Sequence, residues 1–199
     1  LDFLPRRFAT GLHGILQGRF GRLGDTRPST MLREWEEIRT LKAMSGMEFK
    51  GLRVLELGTG WWALGPITFH LLGAESVETY DILPHLKFQR VQHLLNVMAQ
   101  NLDGLTDLFE DPEDVVVRRL DRLRTSSSLA EILGHANINY IPSLPTARRK
   151  EKGSFDLFYT RSVLHRVPPR ELERILKWAG DSVRVGGRAF HILHYTDHN

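Results

Sequence analysis

The stretch Val54-Leu55-Glu56-Leu57-Gly58-Thr59-Gly60 decides how this chain is read. A short, nearly continuous apolar run meets a glycine turn, and Pro66 to Leu72 follows as a helix whose fixed proline φ suits its first turn. Strand, glycine turn and helix in that order open a βαβ unit. Gly73-Ala74 closes the helix, and Ser76 to Tyr80 reads as a second strand ending at Asp81. In an open α/β sheet the ligand crevice lies outside the carboxyl ends of the strands. Glycines serve after the first strand because a Cβ would block close approach of backbone amides to the ligand. Asp81, at the end of the neighbouring strand, is placed to accept hydrogen bonds from both hydroxyls of a ribose.

Outward from this unit the pattern repeats. Met31, Trp35, Ile38, Leu41 and Met44 recur every three or four positions, which predicts an amphipathic helix from Thr30 to about Gly46. Residues 1–29 mix apolar side chains with arginine and glycine, so residues 1–46 are expected to form an N-terminal cap or arm, with the sheet domain spanning 47–199. Leu86, Val91, Leu94, Leu95 and Met98 predict the next helix, and the acidic stretch Asp107 to Asp114 a loop. From Val115 to Leu133 the signals conflict, because three consecutive valines favour a strand while the spaced arginines and leucines favour a helix. Ile138 to Ile141 and Phe155 to Tyr159 read as strands, Pro168-Pro169 opens a helix through Ala179, and Gly186-Gly187 turns the chain into a fifth strand from Arg188 to about Tyr195. The expected fold is α/β, a Rossmann-like three-layer sandwich with a mainly parallel sheet.

Composition narrows the function. At 199 residues, 41% hydrophobic, the chain has the size of one globular domain. Its net charge of +3 is modest for a chain built to coat nucleic acid. The absence of cysteine excludes disulfides, thiolate metal sites and thiolate nucleophiles, and agrees with a cytoplasmic location. No apolar run approaches the length of a membrane helix, which predicts no membrane insertion.

The glycine turn by itself leaves two cofactors open. Gly58-Thr59-Gly60-Trp61-Trp62-Ala63 also satisfies the G-x-G-x-x-G/A dinucleotide fingerprint, so an NAD(P)-dependent oxidoreductase is one rival and a non-catalytic Rossmann-like module another. Glu56 discriminates: a carboxylate two residues before the first glycine has little use beside a pyrophosphate, but suits a cofactor with a cationic amino group and a sulfonium.

With Gly73-Ala74, Asp81, Phe155-Asp156-Leu157-Phe158-Tyr159 and Val185-Gly186-Gly187-Arg188 following in order, the first motif resembles that of class I S-adenosylmethionine-dependent methyltransferases, over about residues 50–196. The resemblance implies S-adenosyl-L-methionine as cofactor, its amino-acid part near Glu56, Gly58, Thr59 and Gly60, its ribose on Asp81 and its adenine against Ile82. Trp62 stands where the family often has a third glycine, and the Trp61-Trp62 pair is expected either to wall the methionine side, which makes Trp61 a cofactor candidate, or to pack beneath the N-terminal helices. No acid follows the third strand, so Ser143 or Asn139 is the candidate for the adenine amino group. The complete family fold has seven strands where five are legible here, so the last two either lie outside this sequence or have been pared away.

Methyl transfer is an in-line displacement in which the protein aligns the acceptor and, for a hydroxyl, removes a proton. The candidates follow the fourth strand, with Thr160 beside the cofactor and His165 as a base, and the fifth strand, with His194 and His198. Arg161 or Arg166 is the expected clamp for an acidic substrate. A metal site at His191, His194, Asp197 and His198 is disfavoured, because a strand sends His191 and His194 to opposite faces. The arginine runs at 118–124 and 148–150 carry no interleaved aromatics, and the loop after the fourth strand lacks the Asn-Pro-Pro-aromatic tetrad of amino-directed DNA methyltransferases, so a small-molecule acceptor is expected rather than nucleic acid.

Overall fold

The computed structural model describes residues 28–143 and 151–193. The first helix, α1 (Pro28–Ser45), leads to β1 (Arg53–Leu57), α2 (Leu64–Leu71), β2 (Ser76–Tyr80) and α3 (Phe88–Gln100). A 3-10 segment, Leu102–Leu108, precedes α4 (Glu113–Arg124), α5 (Leu129–His135) and β3 (Ile138–Ile141). The chain resumes with β4 (Phe155–Arg161), a 3-10 turn at Leu164–Arg166, α6 (Pro169–Ser182) and β5 (Val183–Ile192). All four strand pairings are parallel, in the order β3-β2-β1-β4-β5. A parallel sheet whose order reverses between β1 and β4 is Rossmann-like, with its crevice at that switch point.

Strand alternation sorts the core into two layers. Val54, Val77, Leu157 and Tyr159 share one core with α1 to α5, while Leu55, Leu57, Tyr80 and Phe158 share the other with Ile175 and Ala179 of α6. The expected amphipathic helix is α1, and it is built into the first core: Met31, Trp35 and Ile38 are fully buried, and the Trp35 indole donates to the Thr68 hydroxyl of α2 at 3.1 Å.

One segment settles a reading the sequence left open, and another differs from its expectation. The valine run at 115–117 is helical, because Pro112 and the acidic Glu113-Asp114 start α4 and its buried face, Val116, Leu120 and Leu123, repeats at helical spacing. The Gly186-Gly187 pair lies inside β5 rather than before it. Phe155 pairs with Val183 and Leu157 with Arg188, so β5 bulges outward between the two pairings. Gly186 takes φ +80°, and a Cβ on Gly187 would lie 2.8 Å from the Asp156 carbonyl oxygen, so the excursion needs both glycines.

The acidic stretch does more than link elements. Glu110 accepts from the Phe49 and Lys50 amides and from Lys42, and Asp111 from Lys50 and Arg119, which fastens α1 and the approach to β1 onto α4. Three of the four arginines of α4 are absorbed in the same way: Arg118 pairs with Asp114, Arg119 with Asp111 and Arg124 with Asp121. At the amino end of the sheet Asp156 accepts from the Arg53 amide and from the Arg53 and Arg184 guanidinium groups. Burial would raise the Asp156 pKa, but those donors bring it down to about 2. Among the described residues no helix is long and apolar enough to cross a membrane.

Candidate active site

Register brings the expected residues to one edge. Leu57 pairs with Tyr80 on one side and Thr160 on the other, and Tyr80 pairs with Ile141, so Gly58, Asp81, Pro142 and Arg161 emerge side by side at the carboxyl end of the sheet.

The turn after β1 is closed from within. The Gly58 and Thr59 amides donate to the Tyr80 carbonyl at 2.8 and 3.2 Å, and the Gly60 amide donates to Asp81 Oδ2 at 2.9 Å. Gly58, at φ +100°, must lack a side chain for a second reason: a Cβ there would lie 2.2 Å from Val163 Cγ2, in the loop after β4. Asp81 keeps its other oxygen for weaker company, the Leu83 amide at 3.5 Å and His85 Nε2 at 3.9 Å. The loop bearing His85 is pinned by Tyr140, whose hydroxyl accepts from the His85 amide and donates to the Leu83 carbonyl. Ile82 is 57% exposed beside it, an apolar surface open to a ring.

Trp61 stacks on His85, ring centroids 4.2 Å apart, and the Arg90 guanidinium lies 4.4 Å from the Trp61 ring centre. Trp62 packs against the main core and near His93. Trp62 thus belongs to the main core, and Trp61 lies over His85 in the loop that follows Asp81.

Glu56 points down from β1 into the α1 side of the sheet and is fully enclosed. It accepts from the Thr79 hydroxyl, which also bonds to Thr59 at 2.6 Å, and its Oε1 converges with that of Glu34 on Gly65. Gly65 is thus the glycine this site demands in the first turn of α2, since a Cβ would lie 2.4 Å from Glu56 Oε1. Burial raises the Glu56 pKa, with the neighbouring Glu34 charge adding to the effect. Burial likewise lifts Glu34 to about 7, partly offset by Arg161, which lies 3.7 Å away and is bonded to Glu37 at 2.5 Å.

This pair makes stability depend on pH. A carboxyl whose folded pKa is raised contributes fully below its unfolded value near 4.5, and that contribution is lost as pH rises through 7. Glu34→Gln should therefore gain on the wild type by about 2–3 kcal/mol between pH 4.5 and 8 in urea denaturation. His70 acts at the acid side: burial and nearby Arg119 lower it to about 4, so its contribution is present above pH 6.5 and lost as pH falls through 4. A Glu34→Gln difference that does not change with pH would refute the buried-carboxyl assignment.

The remaining expected residues are dispersed. The Thr160 hydroxyl is fully buried and bonded to His191 Nδ1 at 3.0 Å, so Thr160 meets the crevice by its backbone end. The His191 pKa is lowered by burial. Asn139 sits two residues before the end of β3 with its amide donated to Glu78 at 3.0 Å, whereas Ser143 follows the strand end. His165 is exposed in the 3-10 turn beyond β4 and accepts from Arg166. His194, Asp197 and His198 lie outside the described residues. No cluster of three metal-ligating side chains occurs among the described residues.

Solved structures similar to this chain are S-adenosylmethionine-dependent methyltransferases. One, from Mesorhizobium loti, is 20% identical over 78% of this chain and 52% of its own, with a TM-score of 0.45. Another, from Aquifex aeolicus, is 14% identical over 80% of this chain and 69% of its own, with a TM-score of 0.43. The chain spans about half the length of the first. No protein-family model matches the chain, and no curated protein is significantly similar to it.

Glu34, Gly65 and Val163 escaped the sequence reading. Glu34 had a signal: it lies three residues after Met31 and four before Ile38, which places a charge on the buried stripe of α1. Gly65 and Val163 had none, because each matters through a contact across the fold.

Proposed function

We propose that this chain is an S-adenosylmethionine-dependent methyltransferase domain that methylates a hydroxyl or amine of a small molecule in the cytoplasm. The observation that carries the reading is the pair of buried carboxyl groups beneath the glycine turn. Two enclosed carboxyl groups, Glu34 and Glu56, lie where a dinucleotide would bring its pyrophosphate, and the amides of Gly58, Thr59 and Gly60 are already bonded within the protein. A phosphate site needs free amides and no buried acid. A sulfonium cofactor with an ammonium group tolerates both features.

When bound, the cofactor supplies an activated methyl carbon, so the protein's own task is alignment and proton removal. Asp81 Oδ1 would accept from the ribose, Ile82 would cover the adenine and Ser143 would reach its amino group, while Glu56, Gly58, Thr59, Gly60, Trp61 and Thr160 would surround the amino-acid arm. His165, His194 and His198 are the proposed bases. Of the N-terminal segment 1–46, α1 belongs to the core it shares with the domain spanning 47–199.

Thermal-shift titration with S-adenosylhomocysteine and with NAD tests the reading, and a shift with NAD alone would overturn it. Asp81→Ala is expected to weaken S-adenosylhomocysteine binding by about 1–3 kcal/mol, the size of a lost charged hydrogen-bond pair. Unchanged affinity in calorimetry would remove Asp81 from the ribose.

A further inference from the structure

One residue inside the carboxyl edge of the sheet, a row of side chains runs across its α6 face. Tyr80 pairs with Leu57, Leu57 with Thr160 and Thr160 with His191, so His191 closes the row on the outermost strand. Its ring is held by three neighbours. Thr160 Oγ1 lies 3.0 Å from Nδ1, and the Phe158 ring meets the imidazole edge-on with centroids 5.2 Å apart. The backbone ladder continues past it, Arg161 pairing with Ile192 and the Ser162 amide donating to the Ile192 carbonyl at 2.9 Å. The other ring nitrogen, Nε2, has no hydrogen bond or ion pair with any described residue, and His191 is only half-buried.

Thr160 decides which nitrogen carries the ring proton. Burial lowers the His191 pKa from its ordinary value of 6.5, so the ring is neutral at pH 7 and holds a single N–H. The Thr160 side chain has no exposed surface and no second hydrogen bond among the described residues. Were it to accept from Nδ1–H, its own proton would be enclosed without an acceptor, the costlier way to bury a hydroxyl. Thr160 therefore donates to Nδ1, and the ring proton sits on Nε2. An oriented N–H with no partner beside the crevice calls for an oxygen lone pair and has nothing to offer an ammonium group. We propose that His191 Nε2–H donates to a carbonyl or carboxylate oxygen of the methyl-accepting substrate, with Thr160 fixing the tautomer. The substrate role rests on the methyltransferase function proposed above. In that role His191 is no base; it orients a substrate that carries such an oxygen, whichever of its atoms takes the methyl group.

Long-range proton–nitrogen NMR on the whole chain with labelled histidine tests this, the His191 signals being those lost in His191→Gln. The wild type should show the Nε2–H tautomer at pH 7, Thr160→Ser should keep it, and Thr160→Val should admit the Nδ1–H form. Acetate and acetamide, as carboxylate and carbonyl probes, should shift the Nε2 signal saturably, while methylammonium should not. Thr160→Val should weaken acetate by about fivefold, the size of one hydrogen bond. Thr160→Ser loses packing but keeps the hydroxyl, so it separates a lost tautomer from disturbed folding. An Nδ1–H tautomer in the wild type, or an Nε2 signal indifferent to both oxygen probes, overturns the proposal. Calorimetry with S-adenosylhomocysteine on the same samples keeps the two readings apart. Nucleoside binding with no response at His191 overturns the donor role alone, whereas a His191 response without nucleoside binding keeps the oxygen site and overturns its link to methyl transfer.

Discussion

Replacing Trp35 by alanine is expected to destabilise the protein by about 3–5 kcal/mol, the range for emptying a fully buried aromatic site. The indole has no exposed surface, its six-membered ring packs against Gly104, and its Nε1 donates to Thr68, itself fully buried. The truncation therefore leaves both a cavity and an unpaired hydroxyl. Against a typical total of about 5–15 kcal/mol, this brings a domain close to its unfolding threshold. Trp35→Phe, which keeps most of the volume and loses the hydrogen bond, should cost about 1–2 kcal/mol. Urea denaturation of the two variants checks the ordering. A loss below about 1 kcal/mol for Trp35→Ala would mean that α1 rides on the folded unit instead of belonging to its core.

Gly58→Ala is the second large effect, expected at about 2–6 kcal/mol, and it has two separable parts. The backbone at φ +100° is strained for any residue with a Cβ, costing about 1–3 kcal/mol. The added methyl would also overlap Val163 Cγ2, and forcing that overlap costs about 1–3 kcal/mol more. Val163→Ala in the Gly58→Ala background should recover the steric part and leave the strain, so a double-mutant cycle reads the contact directly. Strict additivity of the two substitutions would show that Val163 does not meet the turn. The same cycle followed by S-adenosylhomocysteine binding reports whether the loop after β4 and the turn after β1 act as one wall of the crevice.

These expectations differ in how much of them could be read from the chain alone. The βαβ unit was legible because its signals are local: an apolar run, a glycine turn and a helix with proline in its first turn lie within 20 residues. Asp81 was legible for the same reason, since a strand of five residues fixes where its last side chain emerges. The valine run at 115–117 was not, because β-branched residues fit a strand or the buried face of a helix equally until the surrounding core chooses. Nor was the placement of Gly186-Gly187, which depends on how far β5 bulges from β4.

By itself, the sequence determined the α/β class, the parallel order of its first strands, and Gly58, Gly60 and Asp81 at one end of the sheet, since each follows from periodicity and turn chemistry over short spans. Tertiary structure alone decided the surroundings of Glu56. Its carboxyl group meets Glu34 from 22 residues before it, Thr79 from 23 after it and the Arg161–Tyr159 face of β4 from more than 100 after it. Whether a buried acid is paired, protonated or waiting for a cation depends on which charges the fold brings within a few ångströms, and no spacing along the chain records that distance.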